Sequence, residues 1–213
     1  MQLIVLADNV LKEELTCFGV DQYTSIEWIQ DINDFRNFPD ADSWIDLLFN
    51  PDEDRIDLLK ELSSKPVIIN SVEKSLVGTG SNFVRINGWP TFLNRNVVEA
   101  SILSETLKPS TERIFSSLNR QVKWLPDEAG FISARVVAMI INEAFFALAE
   151  HVSARGDIDT AMKLGTNYPF GPFEWALNIG TANIVGLLAR LSNEKSQYKP
   201  AALLVQQASP ENS

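Results

Sequence analysis

"AGFISARVVAMIINEAFFALAEHVSA", residues 129–154, carries apolar side chains on almost every side of a helical wheel: Val136, Val137, Met139, Ile140, Ile141, Ala144, Phe145, Phe146 and Leu148. The run predicts one helix of about 25 residues, about 38 Å long at a rise of 1.5 Å per residue. An apolar surface wider than one stripe has to be buried on more than one side. The residues that follow have too little mass to cover it alone, so a homodimer through these C-terminal helices is expected. "DIDTAMKLGT" (157–166) and "GPFEWALNIGTANIVGLLARLSNE" (171–194) predict two or more further helices, and "QQASPENS" (206–213) reads as a frayed polar end.

Before Asp127 the pattern is different. Short apolar runs alternate with helical stretches: strands at 3–7, 25–31, 44–49, 66–71, 83–88, 96–101 and around "VKWLPD". Helices are predicted over "NVLKEELTCF" (9–18), "PDEDRIDLLKELSS" (51–64) and "STERIFSSLN" (110–119). The helix at 51–64 is well marked, with Pro51 at its start, acids in its first turn and Lys60 late. Continuous apolar strands interleaved with helices argue for a mostly parallel sheet covered on both faces. The expected fold class is α/β, a shortened Rossmann-like domain over residues 1–124 followed by an all-α domain over 125–213.

Composition narrows the function. The chain has 45% hydrophobic and 22% charged residues, a globular balance, and a formal net charge of -10. Such a surface repels phosphate backbones, so a nucleic-acid partner is not expected. With Cys17 the only cysteine and no clustered histidines, neither an internal disulfide nor a metal site is expected. "MQLIVLADNV" is apolar over too few residues for a leader, and no stretch approaches the roughly 18 apolar residues of a membrane span. A cytoplasmic protein without a membrane association is the expectation.

The helical half resembles the C-terminal domain of the 3-hydroxyacyl-CoA dehydrogenases. That family carries D-x-P-G-F-I-x-N-R, then N-E-A, then D-I-D-x-A-M, then G-x-x-x-P-x-G-P-F-E. The matches here are Asp127, Gly130, Phe131, Ile132, Arg135, Asn142, Glu143, Ala144, Asp157, Ile158, Asp159, Ala161, Met162, Gly165, Pro169, Gly171, Pro172, Phe173 and Glu174. The first half is similar too: "DLLKELSSKPVIINS" follows the family's helix and S-N-T-S-S-L strand, and "NGWPTFLNRNVVEAS" its G-x-H-F-F-N-P…L-V-E-V segment.

The resemblance implies NAD-dependent oxidation of a 3-hydroxyacyl thioester. Hydride leaves carbon as a histidine, oriented by a carboxylate, takes the hydroxyl proton. Glu99 aligns with that carboxylate, but the histidine position is Pro90, and proline accepts no proton. The one histidine, His151, reads as a helix C-terminal residue favoured by the macrodipole rather than as a relocated base. The family's substrate-holding asparagine is Ala134. Of its serine-rich strand end, Asn70 and Ser71 match while Val72 and Glu73 do not; Ser71 reads as a turn cap.

A dinucleotide fold needs glycines after its first strand, for the turn and for pyrophosphate approach. This chain has "VLADNVLKEEL" there, with Asp8 adding a negative charge. Asp31 ends the second strand, where the family keeps a ribose-binding acid, and reads alternatively as a helix N-cap. Glu99 reads either as half of a former catalytic pair or as a strand-end charge, solvated or paired with Arg95 or Arg135. The expectation is a catalytically degenerate relative with no cofactor, able to bind an acyl-CoA or a protein partner. The alternatives are an active dehydrogenase using NAD and a rearranged base such as Glu99, or a dimerisation module recruiting a protein through its acidic surface. A basic cleft from Lys74, Arg85, Arg95 or Arg135 favours a CoA-type ligand; one filled by Trp89, Phe92 and Trp124 favours the module.

Overall fold

A computed structural model describes residues 1–62 and 65–209. The chain divides after Phe131 into two compact units, rather than after Trp124. Residues 125–131 belong to the first unit because Asp127 and Gly130 bond back into it: Leu76 N donates to Asp127 Oδ2 (2.7 Å) and Gly130 N to the Val72 carbonyl (2.7 Å).

The first unit is a seven-stranded sheet of β1 (Gln2–Leu6), β2 (Ser25–Ile29), β3 (Ser43–Asp46), β4 (Val67–Asn70), β5 (Phe83–Ile86), β6 (Val97–Ile102) and β7 (Gln121–Trp124). Its order is β2-β1-β3-β4-β5-β6-β7, and every pairing is parallel except β5 with β6. A full Rossmann sheet carries a further strand outside the second. Here β2 is the edge, and the 3-10 turn Ile32–Asn37 leads from it to β3. The chain therefore reverses direction in the sheet between β1 and β3, which is the switch point of this fold.

The apolar runs are continuous because both faces are covered. Leu3, Val5, Ile45, Ile68, Val84 and Ile86 face one core, shared with α1 (Asn9–Thr16) and α3 (Lys108–Ser117). Ile4, Leu6, Trp44, Val67, Ile69 and Phe83 face the other, shared with α2 (Glu53–Glu61). The expected continuation of α2 over Ser63 and Ser64 lies outside the described residues, as does the chain end at 210–213.

The second unit is all helix: α4 (Ser133–Ala149), α5 (Arg155–Thr166), α6 (Pro172–Ile179), α7 (Thr181–Ser192) and α8 (Ala202–Gln207). α4 has 17 residues and not the expected 25 or so. Gly130 and Phe131 take positive φ before it, and His151 takes φ 58° just after it, so the chain turns at both ends of the apolar run. Asn142 ties α4 to the C-terminal segment, accepting from Ala201 N (2.8 Å) and donating to the Lys199 carbonyl (3.0 Å). Among the described residues, no helix is long and apolar enough to cross a membrane.

Candidate active site

The β1–α1 turn is where a dinucleotide fold receives its pyrophosphate. Here Asp8 is the N-cap of α1, and its carboxylate accepts from Leu11 N at 2.8 Å. The side chain thus takes up one of the free N–H donors that a phosphate needs, and it carries the same sign of charge as the phosphate. The turn lacks the glycine that would let a pyrophosphate approach the backbone. These residues do not fit a dinucleotide.

At the end of β2, the Asp31 carboxylate accepts from Asn33 N (2.8 Å) and from the Asn33 amide (2.8 Å). The backbone bond, foremost, holds this exposed carboxyl below its usual range. It caps the 3-10 turn. At the end of β3, Asp46 is fully buried and meets Arg55 in a bidentate pair, Nε–Oδ2 2.7 Å and Nη2–Oδ1 2.6 Å. Burial pushes the Asp46 carboxyl up, and Arg55 opposes the shift.

Next along the sheet, Asn70 stitches three strand ends together. Its amide donates to the Leu47 and Gly88 carbonyls (3.1 and 2.9 Å), and its oxygen accepts from Gly88 N (3.0 Å). Ser71 donates to the Lys74 carbonyl at 3.0 Å, closing a turn. In the same turn, burial raises the half-buried Glu73 carboxyl to about 7 against the pull of Lys74.

The "GWPTFLNR" segment follows β5. Trp89 and Phe92 are buried with their rings edge to face, 6.3 Å apart, and Pro90 between them is half-buried. Glu99, on β6, is buried rather than solvated and accepts from the Asn87 amide at 2.8 Å. Arg95 lies over the Phe92 ring at 4.9 Å. Arg85, offered above as a cleft cation, is fully buried. It forms an ion pair with Asp127 (2.9 Å), donates to the Ser71, Lys74 and Glu128 carbonyls, and stacks on Phe131. It is a strut, unable to receive a ligand. Trp124 donates its indole N–H to Glu112 (2.7 Å), with Lys108 over its ring.

In the second unit, Ala134 is fully buried on α4, while Arg135 is half-buried and His151 exposed. The residues in the D-I-D and G-P-F-E motifs build a helix cap. Asp159 accepts from Phe173 N (2.8 Å), and Glu174 accepts from Gly171 N (2.9 Å) and pairs with Lys163. Glu14 carries no motif that marks it in the sequence. It is buried on α1, and its two oxygens accept from Thr91 N (2.6 Å) and Leu93 N (3.2 Å). Its one sequence-level signal is a charge on the apolar side of α1 between Leu11 and Leu15.

Residues 130–211 match the 3-hydroxyacyl-CoA dehydrogenase C-terminal domain, nearly the whole helical unit. That match assigns the helical unit to the 3-hydroxyacyl-CoA dehydrogenase C-terminal domain. The chain is 44% identical over 91 residues to the 3-hydroxyadipyl-CoA dehydrogenase of Escherichia coli, covering 42% of this chain but only 19% of that one. A longer alignment joins it to a 3-hydroxybutyryl-CoA dehydrogenase of Clostridioides difficile, 25% identical over 217 residues, 93% of this chain and 77% of the other. The solved (S)-3-hydroxybutyryl-CoA dehydrogenase of Ralstonia eutropha superposes with a TM-score of 0.73 over 97% of this chain and 92% of that one. At 18% identity that likeness shows the fold. Among the described residues no group of histidines, cysteines and acids is placed to hold a metal ion.

Proposed function

We propose that this chain is a 3-hydroxyacyl-CoA dehydrogenase-like protein that has kept the family's fold and given up its hydride transfer. The observation that carries this reading is the Asp8 carboxylate capping α1 at 2.8 Å, in the place of a pyrophosphate. Pro90 at the histidine position supports it. Removing a general base alone costs about 10² to 10⁴ in rate, and without the dinucleotide there is no hydride acceptor. Glu99, held by Asn87, is left without the imidazole it would orient.

The retained role is binding, of an acyl-CoA-type thioester or of a protein, by a homodimer. The α4 face supports self-association. Val136 and Phe146 are 51% and 38% exposed on α4, whose Ile140, Glu143, Ala144 and Ala147 line a shallow apolar cavity of about 260 Å³ together with Ile158 and Met162. The test is NADH consumption with acetoacetyl-CoA by the purified chain, run beside calorimetric titration with the same thioester. Heat of binding without turnover supports the reading. Turnover that falls on Glu99→Gln overturns it.

A further inference from the structure

The loop from Trp89 to Arg95 is held to α1 by side chains from elsewhere in the first unit. Glu14 takes the N–H groups of Thr91 and Leu93 on its two carboxylate oxygens. Arg120, buried just before β7, donates to the Arg95 carbonyl and to the carbonyls of Glu14 and Leu15, so the far end of the loop is held to the same helix. Leu93 completes the core cluster that contains Leu11 and Leu15. The loop therefore runs from the C-terminal end of β5 to the helix that follows β1. That edge of an open α/β sheet is where such folds take ligands.

Two features work against this closed arrangement. Thr91 has φ 79°, a left-handed conformation that a β-branched residue rarely adopts. Glu14 is 6% exposed, and burial raises its carboxyl above the ordinary 4.5, outweighing its two backbone hydrogen bonds. The charges acting on it are Arg120, which favours the carboxylate, and Asp8 at the start of its own helix, which disfavours it. From the loop side, the groups that meet it are the uncharged Thr91 and Leu93. Arg95, the loop's one charged residue, is turned onto Phe92, and Cys17 at the end of α1 meets Arg120.

We infer that Trp89–Arg95 is a latched flap, closed on α1 by Glu14 and strained at Thr91, that swings open as a unit while the sheet stays folded. Opening uncovers Trp89, Phe92 and the Leu11–Leu15 side of α1. This goes beyond the loss of hydride transfer and does not depend on it.

The sign of its pH dependence follows from the burial of Glu14. The closed state binds a proton more readily than the open one, where the carboxyl is in water. Closure is therefore weakest when Glu14 is ionised and tightens as the pH falls towards the ordinary value of 4.5.

Hydrogen–deuterium exchange of the full chain tests the inference, comparing amides of residues 89–95 with those of β1. The expected protection of the loop is at least tenfold below that of β1 at neutral pH, because it opens without global unfolding. Corrected for intrinsic rates, it rises as the pH is lowered. In Glu14→Ala, which removes both acceptors, the loop is less protected by about tenfold and loses its pH dependence, while β1 is unchanged. Thr91→Gly, which removes the φ strain, raises loop protection severalfold and decides the matter on its own if Glu14→Ala does not fold. Loop amides that exchange only with β1, loop protection that falls on acidification, or a Thr91→Gly loop no better protected than wild type would each overturn the latch.

Discussion

Gly171 shows how a family motif can be structural at the level of a single residue. A Cβ built there would stand 2.3 Å from Asp159 Oδ1 and 2.4 Å from its Cβ and Cγ. Asp159 cannot retreat without losing its bond to Phe173 N, which caps α6. Gly171→Ala is therefore expected to destabilise the helical unit by roughly 2 kcal/mol or more, read as a shift in the urea midpoint without a change in slope. Some residue roles were legible in the sequence. Asp31 before "INDF" and Ser71 after a strand sit in local contexts that prescribe capping, and the bonds formed are to residues two and three positions away. Glu14 was not, because its partners Thr91 and Leu93 lie 77 and 79 positions on. No local pattern encodes such a contact.

Between elements, Arg85 decides where the first unit ends. Its guanidinium gathers the Ser71 and Lys74 carbonyls after β4, the Glu128 carbonyl and the Asp127 carboxylate, with the Phe131 ring at 4.1 Å from its central carbon. By sequence, residues 125–131 open the all-α domain, and these contacts make them part of the sheet domain instead. Arg85→Met leaves the Asp127 carboxylate without its buried partner and is expected to cost about 3–5 kcal/mol. Thermal unfolding should show it, with Asp127→Asn in the same background recovering part of the loss. Strands and helices of the first unit were readable because each is a short apolar run bounded by turn residues. α4 was misjudged in length because its apolar periodicity runs on through Phe131 and Val152, while the backbone breaks at the positive φ of Gly130, Phe131 and His151. Periodicity reports which residues want burial and not where a left-handed residue ends a helix.

At the scale of the whole chain, a net charge of -10 surrounds a fold whose relatives are 3-hydroxyacyl-CoA dehydrogenases. The apolar face of α4, with Val136 and Phe146 exposed, leads to the expectation of a dimer. Sedimentation equilibrium at micromolar concentration should give twice the chain mass. The double variant Val136→Glu, Phe146→Glu should give the single-chain mass with unchanged helical circular dichroism; a wild-type monomer would remove the dimer from the proposal.

The central claim concerns the first turn of the sheet, where Asp8 caps α1. Titration of the purified chain with NADH, followed by the cofactor's fluorescence, tests it most directly. No saturable signal is expected up to millimolar NADH, and none for Asp8→Gly, since the remaining glycines of the turn are still missing. Saturable binding in the micromolar range by the wild-type chain would contradict the claim.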